Sequence, residues 1–213
     1  EHSMAWLNKG NSLIKLGKNE ESIACYNEVI RLDPESHNAW INKGTILDVL
    51  GKYEEAIACY DEVIRFWPEF YIAWTSKGKI LDAMGKYEEA IACYDEVIQF
   101  EDSCHSESAL FGKGTTLFRL ERYEEAIACY DEAIRLHNPG AFTSIDLYSV
   151  LNSKGIVLDA LGKYEEAIAC YDVVNMAVPE YLEGWNLKGQ ALKELGRDKE
   201  AEECFVKAKE LEE

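Results

Sequence analysis

The fourteen residues Gly-Lys-Tyr-Glu-Glu-Ala-Ile-Ala-Cys-Tyr-Asp-Glu-Val-Ile occur twice without a change, at Gly51–Ile64 and at Gly85–Ile98. Near-copies stand at Arg122–Ile134 and Gly162–Val174, and more worn ones at Gly17–Ile30 and Gly196–Ala208. Self-similarity of this kind restricts the chain to an array. Each copy belongs to one small unit that buries its apolar face against its neighbours, so no central core is required.

Six glycines set the beat: Gly10, Gly44, Gly78, Gly114, Gly155 and Gly189, at gaps of 34, 34, 36, 41 and 34 residues. That period implies repeated helix–turn–helix units. Four residues before each glycine stands Trp6, Trp40, Trp74, Leu110, Leu151 or Trp185; three after it stands Leu13, Leu47, Leu81, Leu117, Leu158 or Leu192. Spacings of four and three place these residues on one helical stripe. A glycine inside a helix costs about 1 kcal/mol relative to alanine. Its recurrence predicts close approach of the second helix, with the repeated alanine (Ala56 and its equivalents) at the contact.

The turn between the two helices carries Gly17, Gly51, Gly85, Gly162 or Gly196, a residue suited to the left-handed end of a helix. Glu121 takes that place in the fourth repeat and predicts a strained or differently closed turn. The second helix opens on acids that oppose the positive end of its dipole. Its stripe runs through Ala56, Ile57, Tyr60, Val63 and Ile64. Pro34, Pro68 and Pro179 then stop the repeat, because the residue before a proline is driven from helical geometry. The expected repeats are 3–36, 37–70, 71–104, 107–140, 148–181 and 182–213, in a single array over 1–213. Insertions near 101–106 and 138–146 break the beat. The second contains the stop signal Asn138-Pro139-Gly140, and Ser144 is a candidate cap for the helix that follows.

These residues resemble the tetratricopeptide repeat (TPR) family. The second repeat carries the pattern as Trp40, Gly44, Leu47, Gly51, Tyr53, Ala56, Tyr60 and Pro68. The wording of the repeats is similar to prokaryotic, particularly archaeal, members. The resemblance implies an all-α, right-handed superhelical solenoid of six repeats and about twelve helices. It also implies a concave face, lined by the first helices, that binds a peptide or partner segment.

The net charge of −18, from 22 basic and 40 acidic residues, disfavours binding to nucleic acid or an anionic membrane surface. Most acids lie in the repeated helix, as solvated faces would. Six of the seven cysteines share one phase (Cys25, Cys59, Cys93, Cys129, Cys170 and Cys204), unlike the framework of a secreted domain. They read as small fillers at the edge of the apolar stripe. No membrane span or signal peptide is visible, so the expected location is cytoplasmic. Glu1–Ser3, ahead of Met4, read as a vector remnant.

The chain offers no catalytic set. Gly112-Lys113-Gly114-Thr115-Thr116 lacks phosphate-loop spacing, and Gly114 is the helix-packing glycine of its repeat. Cys104-His105 is an isolated pair, and successive in-phase cysteines stand too far apart for one metal or a disulfide. The expectation is no enzyme, no cofactor and no metal. A lysine precedes each packing glycine: Lys9, Lys43, Lys77, Lys113, Lys154 and Lys188. These read as stems that cover apolar surface while the ammonium reaches water or a neighbouring acid.

If the family geometry holds, the concave face takes unlike residues from the first helices. The candidates are Asn11, Asn42, Thr45, Asp48, Lys79 and Asp82, then Phe111, Thr115, Phe118 and Arg119, then Asn152, Ile156, Asp159, Asn186 and Gln190. One TPR subfamily grips a C-terminal carboxylate. Asn11 and Asn42 match its asparagines, but Leu7, Ile72 and Ser76 stand where its basic residues belong, so that clamp is not supported. The mixed face suits a peptide of apolar and weakly basic character. The expected role is a non-catalytic protein-interaction scaffold. The alternatives are an accessory module of an enzyme complex, or self-association through an apolar C-terminal face at Cys204, Phe205 and Ala208.

Overall fold

A computed structural model describes residues 2–99, 103–137 and 146–212. Among these residues there are twelve helices and no strand. They form six antiparallel pairs: α1 (His2–Lys15) with α2 (Asn19–Leu32), α3 (His37–Val49) with α4 (Tyr53–Phe66), and α5 (Tyr71–Ala83) with α6 (Tyr87–Gln99). Then come α7 (Ser103–Arg119) with α8 (Tyr123–Leu136), α9 (Leu147–Ala160) with α10 (Tyr164–Ala177), and α11 (Leu182–Glu194) with α12 (Asp198–Glu210). The chain divides into two compact units of three pairs each, Glu1–Phe100 and Glu101–Glu213. The insertions near 101–106 and 138–146 fall largely outside the described residues, as does Ser144. Ser103–Ser106 form the first turn of α7. Asp146 caps α9, its Oδ1 accepting from the Tyr148 amide at 3.3 Å.

The packing glycine meets a different partner from the one its sequence suggests. A Cβ on Gly10, Gly44, Gly78, Gly114 or Gly155 would lie 2.5–3.0 Å from the ring of Tyr26, Tyr60, Tyr94, Tyr130 or Tyr171. On Gly189 it would strike Phe205. The ring, and not the repeated alanine, occupies the space that the missing side chain leaves. All five tyrosines are at most 2% exposed. The alanines (Ala56, Ala90, Ala126, Ala167) are also buried, and they let the paired backbones approach.

Each pair closes through the same turn. The Gly51 amide donates to the Asp48 carbonyl and the Lys52 amide to the Leu47 carbonyl, both at 2.8 Å, with Gly51 at φ 71°. This is the Schellman arrangement, which satisfies the last carbonyls of the first helix. Glu121 adopts it too, at φ 59°, with the Arg122 amide on the Leu117 carbonyl at 2.9 Å. The fourth turn is therefore closed in the usual way and carries the expected strain.

Within each unit, consecutive repeats are joined by up to three devices. The core of the first unit runs without a break through Leu47, Ala56, Tyr60, Val63, Ala73 and Ile80, across α3, α4 and α5. The indole N–H of Trp40, Trp74 or Trp185 donates to the carbonyl of the proline six residues earlier, at 2.8–2.9 Å. The lysine ladder completes the joint. Lys77, Lys154 and Lys188 pair with Asp61, Asp131 and Asp172 on the preceding second helix at 2.5–2.6 Å. Lys77 and Lys188 also lie over the indoles of Trp74 and Trp185 at 5.9 Å. Partly exposed pairs of this kind contribute up to about 1 kcal/mol each.

Two substitutions test this account by thermal or denaturant unfolding. Glu121→Gly relieves a left-handed non-glycine residue and is expected to stabilise by roughly 0.5–1 kcal/mol. Gly155→Ala, set against the closest ring, is expected to destabilise by about 1–2 kcal/mol despite alanine's helix preference.

Candidate functional site

In the second unit the first helices lie side by side, α7 touching α9 and α9 touching α11, and in the first unit Asn42 of α3 donates to Asn11 Oδ1 of α1 at 3.0 Å. The candidate residues come from these first helices, and they differ in exposure. Asn11, Thr45, Lys79, Arg119 and Gln190 are exposed, and Asn42, Asp48, Asp82, Phe111, Thr115, Phe118, Ile156, Asp159 and Asn186 are half-buried. Asn152 is only 8% exposed and belongs to the interior.

Several of these side chains serve the packing tyrosines. The Tyr26 hydroxyl donates to Asn11 Oδ1 at 2.7 Å, and Tyr171 donates to Asp159 Oδ2 at 2.8 Å. Tyr60 and Tyr130 sit 3.4 Å from the hydroxyls of Thr45 and Thr115. A buried phenol needs such a partner, and the first helix supplies it from the face turned away from the core. Phe111 packs against Tyr130 and Phe118 against Tyr123, with ring centroids 6.0 and 5.8 Å apart. Asn11, Thr45, Thr115 and Asp159 thus support the scaffold while standing at the surface. The sequence pattern hid this role, because the same job falls to Asn, Thr or Asp in different repeats.

Two groups went unmarked in the sequence. In the first unit, an open depression of about 520 Å³ is bordered by Met4, Leu7, Asn38, His37 and Trp67. Trp67 is 40% exposed and meets the His37 ring edge-on at 6.0 Å. Of the second helices, only α4 is followed by a tryptophan at that place. In the second unit, buried Glu107 is joined to His137 Nδ1 at 2.7 Å across α7 and the end of α8. Its other oxygen has no partner. Cys204 and Ala208 are buried inside the last pair and Phe205 lies under Gly189, so the apolar face expected of them is turned inward. Glu202 and Lys209 stand where α4 carries Ile57 and Ile64.

Among the described residues, no three His, Cys, Asp or Glu side chains converge as metal ligands, and no helix is long and apolar enough to cross a membrane. The in-phase cysteines are buried and form no disulfide. Burial pushes the thiols of Cys59 and Cys93 up to about 11, and Tyr130 up to about 12. Burial, reinforced by the Asp159 hydrogen bond, also raises Tyr171.

Tetratricopeptide-repeat models match the chain at residues 7–69, 71–104, 105–173 and 182–213. The chain belongs to the tetratricopeptide repeat family. Among solved structures it is similar to MamA, at 23% identity over 84% of this chain and 93% of that one, with a TM-score of 0.72. It is also similar to PilF of Pseudomonas aeruginosa, at 17% identity over 99% of this chain and 92% of that one, with a TM-score of 0.79. YrrB, described as a TPR protein with an unusual peptide-binding site, shares 19% identity over 87% of this chain and 91% of that one, with a TM-score of 0.68. These likenesses concern the fold. No curated protein matches the sequence.

The raised thiols and phenols have a checkable consequence. Each favours the protonated form in the folded state, so its stabilisation is complete below the ordinary pKa and is lost as pH rises through the folded value. Melting temperature is expected to hold to about pH 9 and fall steadily from there to about pH 12. Cys59 and Cys93 are expected to resist alkylation near pH 8 in the folded protein and to react fully in denaturant, as read by peptide mass mapping.

Proposed function

We propose that the protein is a non-catalytic interaction scaffold that holds a peptide segment of mixed apolar and weakly basic character against its first helices. One observation carries this reading. The second helices of the middle repeats recur almost without change, in their buried stripe and their exposed acids alike, whereas the first-helix faces present side chains that differ from repeat to repeat and reach solvent. Uniform residues build the array; unlike residues can distinguish one segment from another.

The chemistry of that face suits such a segment. Asn42, Thr45, Asn186 and Gln190 offer amides and hydroxyls to a peptide backbone, Leu7 and Ile72 offer apolar area, and Trp67 after α4 adds to it beside Leu7. Half-buried Asp48, Asp82 and Asp159 favour basic side chains, as does the net charge of −18. YrrB's described peptide site lends the reading support by fold alone. Six buried cysteines outside any disulfide suit a reducing compartment such as the cytoplasm.

Fluorescence anisotropy with short synthetic peptides tests the reading. A series built from leucine, serine and lysine is expected to bind, and to weaken as salt rises. Asp48→Asn/Asp82→Asn is expected to lower affinity about tenfold, or roughly 1.4 kcal/mol. Tighter binding of the matching series with glutamate in place of lysine would overturn it.

A further inference from the structure

The fifth and sixth repeats depart from the scaffold pattern at one spot. Where the earlier second helices carry Ile30, Ile64, Ile98 and Ile134, α10 carries Asn175. Where α3, α5 and α7 carry Ala39, Ala73 and Ala109, α11 carries Gly184. The two departures meet: a Cβ on Gly184 would run into the Asn175 side-chain oxygen and the Tyr181 ring. Asn175 is 4% exposed, and neither of its amide atoms has a partner. Tyr181 also reaches Asn152 of α9, whose Nδ2 donates to the phenol oxygen at 3.4 Å. Asn152 Oδ1 has no partner. The Tyr181 hydroxyl in turn donates to Glu183 at 2.8 Å.

Asn152 and Tyr181 line a cavity of about 110 Å³. Its other walls are Val174, Val178, Tyr148 and Ser149, with Asp146 completing the lining. A buried amide atom without a partner carries an uncompensated desolvation penalty. Both amides lie close to Tyr181, and Asn175 and Gly184 stand where the first unit packs Ile30 and Ile64 with Ala39 and Ala73. The spare capacity beside the cavity is that of acceptors: Asn152 Oδ1, and the exposed Asp146 carboxylate, which takes only two long bonds, from the Tyr148 amide and the Ser149 hydroxyl at 3.3 and 3.4 Å. No lysine or arginine lines it. Glu183, behind Tyr181, adds negative charge and makes an anionic ligand costly. A purely apolar ligand would leave Asn152 unpaired. The cavity of about 110 Å³ has room for a chain of several water-sized groups.

We propose that this cavity is a pocket for a basic side chain, lysine or arginine, presented by a partner. Its stem lies along Val174 and Val178, and its cationic head donates to Asn152 Oδ1 and pairs with Asp146. The two tyrosine rings add cation–π attraction. The proposal deepens the peptide-binding reading by assigning the second compact unit one side-chain class.

The test is NMR on the full chain, following the Asn152 side-chain amide and the Tyr148 and Tyr181 ring signals. The probes are the N-acetyl amides of arginine, lysine, norleucine and glutamate. The two basic probes are expected to shift these signals saturably, and their relative strength identifies the preferred head group. Norleucine and glutamate amides are expected to leave them in place. Asp146→Asn keeps a helix-capping side chain and is expected to weaken the basic probes at least fivefold. Asn152→Leu, checked for an unchanged fold by its melting curve, is expected to abolish the ring shifts. Silence at Asn152 with both basic probes, or an equal response to norleucine or glutamate, would overturn the pocket. Short peptides binding elsewhere on the first helices while Asn152 stays silent would remove the pocket and leave the wider reading intact. Saturable basic-probe shifts without any peptide binding would keep the pocket and remove the wider reading.

Discussion

Each helix pair closes on an aromatic ring of the second helix set over a glycine of the first, and the other contacts are arranged around it. Burying such a ring contributes about 2–3 kcal/mol of transfer free energy, but the ring fits only where the facing helix lacks a Cβ. The phenol oxygen at its far end then requires a polar partner. Asn11, Thr45, Thr115 and Asp159 supply one from the first helix, at 2.7–3.4 Å. One steric vacancy thus sets the distance between the helices, and part of the chemistry of the outer face follows from it.

The repeat made the architecture readable from the chain alone. Helix pairs, left-handed turns and proline stops all follow from local spacing, and Glu121 could be recognised as a substitute for glycine before its φ of 59° was seen. The partner of the packing glycine was not readable. Alanine and tyrosine lie on the same stripe four residues apart, and periodicity cannot say which of them crosses the glycine. The candidate face was legible only in outline. Asn152 shares its position with Leu7, Ile41, Thr75 and Phe111, so nothing in spacing separates an exposed amide from one folded beneath Tyr181. The significance of Asn175 and Gly184 depends on their meeting, which single-chain patterning does not report.

The lysine beside each packing glycine shows how a charged residue can serve as mortar. Its methylenes cover apolar surface, and at Lys77 and Lys188 the ammonium lies over a tryptophan ring while reaching an aspartate of the preceding repeat. In the first repeat Asn27 replaces that aspartate, and Lys43 lies over Trp40 at 5.5 Å. These lysines therefore form no open basic stripe, and the candidate face is left to its acids, amides and apolar side chains.

The identity of Gly51–Ile64 with Gly85–Ile98 has a consequence for how the chain finds its structure. The helical parts of these segments, in α4 and α6, present matching faces, so α3 and α5 would find the same complementary surface on either. Side-chain recognition cannot tell the correct pairing from an exchanged one. The choice falls to chain connectivity: a turn of a few residues joins α3 to α4, whereas reaching α6 requires closing a loop through another repeat, at a higher entropic cost. The array is kept in order less by what its helices prefer than by how little slack the turns between them allow.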